Sequence, residues 1–146
     1  MKIPISVLVV IYTAKNEVLL LERADHPGFW QSVTGSLDAV DEPLIEAACR
    51  ELLEETGIDC RLLNEGALVS MKHSVTYEIY PEWRHRYPLG VTQNVEHWFK
   101  VCLSDRVPVT LAPREHLSYR WVALQDAPKM CFSPSNQEAI QKLNSI

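Results

Sequence analysis

The run Arg50-Glu51-Leu52-Leu53-Glu54-Glu55-Thr56-Gly57-Ile58 constrains this chain more than any other. At about 3.6 residues per turn, a helix through it sets Glu51, Glu54 and Glu55 on one side. Ile45, Ala48, Cys49 and Leu52 make an apolar stripe beside them, so the helix is expected to lie against a core. The three acids repel one another by roughly 0.2–0.5 kcal/mol per pair. They also crowd the C-terminal end, closed by Gly57, where the helix dipole opposes anions. A solvated acidic face is the ordinary reading of such a run. A divalent cation held by the three carboxylates is the other.

Around this helix the sequence predicts a sheet. Residues 5–12 and 18–22 are strands joined through Thr13-Ala14-Lys15-Asn16, which suggests a hairpin. Residues 30–34 form a short strand entering a loop at Gly35, and Pro43 falls in the first helical turn. Further strands are expected over 61–71, 76–80, 97–103 and 117–122. A last helix starts at the capping-box pair Ser135 and Glu138, with Pro134 just ahead. Helices packed on the faces of a mixed sheet give an α/β (α+β) arrangement. With 146 residues and 47% hydrophobic content, the chain is read as a single domain, residues 1–146.

The apolar residues 5–12 are β-branched and lack a small-residue cleavage site, so they read as a buried strand, not a signal peptide. No segment has the apolar length to cross a bilayer. Cys49, Cys60, Cys102 and Cys131 show no C-x-x-C pairing and are read as reduced core residues of a cytoplasmic protein. A net charge of −5 argues against broad nucleic-acid binding. Oligomeric state is not legible.

Carboxylates alone are hard oxygen ligands that suit Mg²⁺ or Mn²⁺, with phosphate oxygens completing the coordination. Such ions neutralise phosphate charge, polarise phosphorus and acidify an attacking water. The candidate chemistry is hydrolysis of a nucleoside-diphosphate-like linkage. His26, His73, His97 and His116 have no ligand spacing and are given no role.

The acidic run resembles the Nudix box, G-x5-E-x7-R-E-U-x-E-E-x-G-U with U a bulky aliphatic residue. Glu42, Arg50, Glu51, Leu52, Glu54, Glu55, Gly57 and Ile58 are in full register. Only the opening glycine departs, because six residues and not five separate Gly35 from Glu42. The resemblance implies an α/β/α sandwich. It makes Glu51 and Glu55 metal ligands, Glu54 a third ligand or the base for the attacking water, and Arg50 a residue that orients a box glutamate.

The segments Phe29 to Ser36, Arg84-His85-Arg86-Tyr87, Gly90-Val91-Thr92, Glu115-His116-Leu117 with Trp121, and Ser135-Asn136 resemble the branch of the family that acts on a reduced-pterin triphosphate. A shorter segment before Ser133 is a second departure. This resemblance implies Mg²⁺-dependent hydrolysis of dihydroneopterin triphosphate to the monophosphate and pyrophosphate, in folate synthesis. It makes Glu115 a distant metal ligand and turns Lys2 and Arg23 toward the substrate. Thr34 and Ser133 fall at the pocket edge, and Tyr77-Glu78-Ile79-Tyr80 becomes a substrate-lining strand. For Trp83-Arg84-His85-Arg86-Tyr87, phosphate recognition by arginine stands beside a solvated turn or a subunit contact. A general nucleoside triphosphate pyrophosphatase and a non-catalytic nucleotide sensor are the rival functions; an acidic calcium-binding protein lacks the EF-hand spacing.

Overall fold

The computed structural model describes residues 1–145; the last residue of the expected domain, 146, lies outside them. In chain order the elements are β1 Ile5–Thr13, β2 Glu17–Arg23, β3 Trp30–Gln31, β4 Val33–Ser36, α1 Leu44–Thr56, β5 Leu68–Glu78, β6 Gln93–Leu103, β7 His116–Ala123, α2 Ala127–Met130 and α3 Pro134–Gln141. Short 3₁₀ turns occupy Cys60–Leu62, Pro81–Arg86 and Lys142–Ser145.

β1 is the central strand. Val7 to Ile11 are all buried, as a strand covered on both faces requires. It runs parallel to β6 from Ile5↔Val95 to Thr13↔Leu103 and antiparallel to β2 beside the predicted hairpin turn. Asn16 takes the left-handed conformation there, with φ 59°, which asparagine tolerates better than most residues. Val7, Val9 and Ile11 join Leu19, Leu21 and Phe99 under α1. Leu8 and Val10 join Leu20 and Trp98 under α3, through Ala139 and Ile140. Period-two alternation on a central strand thus supplies two cores, one on each face, and the α/β/α sandwich follows.

One irregularity opens the site. β1 and β2 pair at Tyr12↔Val18 and then part. The predicted strand over 30–34 is in fact two: β3 follows β2 at Leu21↔Gln31, whereas β4 follows β1 from Val9↔Val33 to Ser6↔Ser36. Ser32 is the crossing point. Its backbone N–H donates to Asn136 Oδ1 at 2.8 Å, and Asn136 Nδ2 donates to Ser32 Oγ at 3.0 Å, so α3 pins the split.

Other expectations need correction. The strands over 61–71 and 76–80 are one strand, β5, with a register shift between Ser70 and Ser74 where Lys72 has φ 54°. It starts late because Gly66, at φ 79°, turns the chain first. The last helix is capped by Ser133, whose Oγ accepts from Asn136 N, while Ser135 faces β6. On α1 the buried side is Ala47, Ala48, Glu51, Leu52 and Glu55, whereas Ile45 is exposed. Cys49 and Cys60 are joined in a disulfide because the chain reverses after Gly57 and brings their Cα atoms to 5.8 Å. Cys131 is a buried thiol and Cys102 an exposed one. The argument from reduced cysteines to a cytoplasmic location therefore falls. Among the described residues, no helix is long and apolar enough to cross a membrane.

Candidate active site

Arg50 organises the end of α1. Its Nε and Nη2 donate to the two oxygens of Glu42 at 3.0 and 3.1 Å, Nη2 also to Ser36 O at 3.0 Å, and Nη1 to Glu51 Oε1 at 2.7 Å. Nη1 reaches Glu54 Oε2 at 3.3 Å, and Asp38 pairs with Nε at 3.0 Å. A planar fork with five donors can serve this many acceptors where a lysine cannot. These bonds anchor both ends of the lengthened loop between Gly35 and Glu42. Hydrogen bonds from Arg50 hold the Glu42 carboxyl below its ordinary range.

Glu51 and Glu55, four residues apart, are buried, whereas Glu54 is half exposed. Gly35 passes so close that a Cβ there would lie 2.1 Å from Glu51 Cδ, so only glycine leaves room for that carboxylate. Burial raises the Glu51 carboxyl above the usual range, opposed by Arg50. Glu55 is raised well above it, first by burial and then by Glu51 and Glu115. Neither Glu55 oxygen meets a donor within hydrogen-bond geometry, since His116 Nε2 stands 3.6 Å from Oε1. A buried carboxylate left unpaired is costly, and a divalent cation would satisfy it. One ligand atom each from Glu55, Glu115 and His116 lie within 4.8 Å of one another. Burial, then Arg23, pushes the His116 pKa down to about 4, so its imidazole is neutral at neutral pH. Histidine was given no role from spacing alone; its placement comes from the bulge between β2 and the start of β7.

The parted strands enclose a cavity of about 610 Å³. Glu55 and Glu115 line it together with Lys2, Arg23 and Arg86. Asp25 holds Arg23 at 2.7 Å and Arg86 at 2.9 Å, and its own carboxyl is driven well below the usual range by those two arginines. Desolvation, then Arg86 and Arg23, lowers the Lys2 pKa. Trp83 lies under the Arg23 guanidinium at 4.4 Å, stacks with Tyr80 at 5.2 Å and meets Phe132 edge-on at 6.2 Å. A set of anionic ligands, a band of cations and an aromatic wall thus share one hollow.

The NUDIX domain family matches residues 2–143. The chain is a Nudix hydrolase. It is 41% identical over 142 residues to the dihydroneopterin triphosphate diphosphatase of Escherichia coli K12, covering 97% of this chain and 92% of that protein. It is 44% identical over 140 residues to the enzyme of the same name from Haemophilus influenzae, covering 94% and 85%. The solved structure of the E. coli dihydroneopterin triphosphate pyrophosphohydrolase superposes with a TM-score of 0.89, covering 97% of this chain and 94% of that one.

Within this Nudix fold, Lys2, Arg23, Thr34, Glu55, Tyr77, Glu78, Ile79, Tyr80, Glu115 and Ser133, named above by resemblance, line one cavity. Glu51 opens on an adjoining hollow that shares Lys2, Thr34, Gly35 and Glu115. Glu54 and Arg50 line neither. The aromatic-basic cluster divides: Trp83 and Arg86 enter the cavity, while Arg84 donates to Ile79 O at 2.9 Å and His85 is exposed. Asp25, Asn94, Glu96 and Phe132 were missed. A signal existed only for the pair on β6, where Asn94 and Glu96 alternate with apolar Val95 and lead into Trp98.

Proposed function

We propose that this Nudix hydrolase cleaves dihydroneopterin triphosphate to dihydroneopterin monophosphate and pyrophosphate, as the names of its relatives suggest, with residues 1–146 acting as one domain. The observation that carries the reading is that one cavity gathers the buried, unpartnered carboxylate of Glu55, a group of cations and several aromatic rings. That combination suits a molecule with a metal-binding phosphate chain and a flat ring.

Nudix hydrolases generally use divalent metal ions, and Mg²⁺, with Mn²⁺ as a substitute, is the proposed one. Glu51, Glu55 and Glu115 would hold it. When bound, it would supply charge neutralisation at the phosphates and an acidified water. Glu54, kept in place by Arg50 at 3.3 Å and open to solvent, takes the proton of the attacking water or serves as a further ligand. Arg50 acts through Glu51 and Glu54 and is a positioning residue. Lys2, Arg23 and Arg86 meet the phosphate oxygens, and Thr34 and Ser133 offer hydroxyl or backbone bonds at the edge. Tyr77, Glu78, Ile79 and Tyr80 close the side of the pocket. A cytoplasmic location belongs to the same proposal, since so polyanionic a substrate does not cross membranes unaided.

Hydrolysis in ¹⁸O-labelled water with mass spectrometry of both products tests the bond broken. The expected result is pyrophosphate and monophosphate, one of them labelled. Orthophosphate released directly, without a pyrophosphatase, would overturn the reading.

A further inference from the structure

We propose that Glu96, together with the amide oxygen of Asn94, is the element that reads the substrate's ring. The pair accepts a ring N–H and the exocyclic amine next to it. This rests on the triphosphate-hydrolase reading above and adds the residues that choose the head group.

Asn94, Glu96 and Trp98 are alternate residues of β6 on one face, 1%, 4% and 0% exposed. A carboxylate in such a row is costly unless its oxygens are satisfied. Both of its protein donors fall on one oxygen: Trp98 Nε1 at 3.1 Å and Ser135 Oγ at 2.8 Å reach Oε1. Among the described residues no donor meets Oε2. Asn94 repeats the pattern. Its amide nitrogen donates to Ser6 Oγ at 2.7 Å and to the Tyr77 hydroxyl at 3.1 Å. Its Oδ1 is buried with no partner. Both residues line the cavity that holds Glu55 and Arg23. This part of the cavity therefore presents acceptors in want of donors.

The chemistry of the missing partner follows. A reduced pterin carries a ring N–H beside an exocyclic amine, and guanine presents the same edge. Adenine sets an unprotonated ring nitrogen there, which would face an oxygen with no hydrogen between them. An acceptor deprived of its donor in a buried site costs roughly 1–3 kcal/mol, a factor of about 10 to 100. Glu78, the other carboxylate on this wall, is unsuited to the task. Its side chain is 62% exposed and engaged by Gln93 at 3.0 Å and Arg84 at 3.5 Å.

A purely structural Glu96 would need only Oε1, to tie β6 to α3 through Ser135. Glu96→Gln keeps an oxygen for Trp98 and Ser135 and turns only the free oxygen into a donor. The test measures kcat/KM with Mg²⁺ for dihydroneopterin triphosphate, deoxyguanosine triphosphate and deoxyadenosine triphosphate, using inhibition constants for any slow substrate. In Glu96→Gln the first two should fall by about 10- to 100-fold, mainly through KM, with the adenine nucleotide unchanged or improved. Inhibition by inorganic pyrophosphate, which has no ring, should match the wild type. A second arm needs no variant: deoxyinosine triphosphate, guanine's counterpart without the amine, should be used about tenfold less well than deoxyguanosine triphosphate by the wild type. Equal losses for all three substrates in Glu96→Gln, or no preference for the amine in the wild type, would overturn the assignment. If the wild type fails on dihydroneopterin triphosphate, the substrate reading falls, while the guanine, inosine and adenine ratios still decide the role of Glu96.

Discussion

Replacing Glu55 by glutamine should make the metal-free enzyme more stable while removing its activity. Glu55 is 2% exposed, lies beside Glu51, and has no hydrogen-bond partner on either oxygen. Without metal its charge is a cost of folding. The amide removes that charge but leaves a buried polar group unpaired, itself worth about 1–3 kcal/mol, so the net gain should be about 1–2 kcal/mol. For a domain of this size that is a Tm rise of roughly 2–8 °C in EDTA. In Mg²⁺ the order should reverse. At a hundred times Kd the wild type gains about 2.7 kcal/mol, and a site with one carboxylate fewer gains less. The kcat/KM should drop at least about 100-fold. The pH dependence carries a definite sign. The folded-state pKa of Glu55 is raised above the ordinary 4.5, so its favourable contribution is complete below the unfolded pKa and is lost as pH rises through the folded one. In EDTA the wild-type Tm should therefore fall above pH 4.5 more steeply than that of Glu55→Gln, with some slope left from Glu51 and Glu96, which are shifted the same way. Scanning calorimetry with and without Mg²⁺ reads all of this. A Glu55→Gln protein less stable than the wild type in EDTA would show that the carboxylate is structural and refute the reasoning.

Arg50→Lys should cost about 2–3 kcal/mol in urea unfolding, because one ammonium cannot replace the bonds to Glu42, Ser36 and Glu51; kcat should fall more than KM changes. Gly35→Ala would place a Cβ 2.1 Å from Glu51 Cδ. It should lower kcat/KM about 100-fold by displacing that carboxylate, with circular dichroism showing a retained fold. Asn136→Ala should lose about 1–3 kcal/mol, since the buried Ser32 N–H gives up its 2.8 Å partner, as thermal melts would show.

The acidic helix was legible in the sequence because its information is local. Residues three and four apart on a helix are neighbours, so Glu51, Glu54 and Glu55 could be placed together without any tertiary knowledge. The same periodicity misjudged Ile45, since a stripe wide enough to hold two buried glutamates turns the helix toward the carboxylates and leaves Ile45 in water. The cavity was less legible because it depends on β1 and β2 parting, and a split at Ser32 has no signature among residues 30–36. Its cause is Asn136, 104 positions away. Arg86 lies 61 positions from Asp25, so Arg23, Asp25 and Arg86 could not be joined beforehand, although Arg23 was singled out by resemblance. Glu96 went unnoticed because the expected strand began at residue 97, whereas β6 begins at Gln93 and carries Glu96 on its buried face. The disulfide was unseen because Cys49 on a helix and Cys60 in a later turn meet only when Gly57 reverses the chain.

Substrate preference is the central claim, and kcat/KM across a panel at one Mg²⁺ concentration tests it most directly. The panel should hold dihydroneopterin triphosphate, the four ordinary deoxynucleoside triphosphates and an oxidised guanine nucleotide, with pyrophosphate as the measured product. The pterin should give the highest value, with the nucleotides turned over more slowly and the guanine one ahead of the adenine one. A higher value for any ordinary or oxidised nucleotide than for the pterin would contradict the assignment and make the enzyme a nucleotide-cleansing pyrophosphatase.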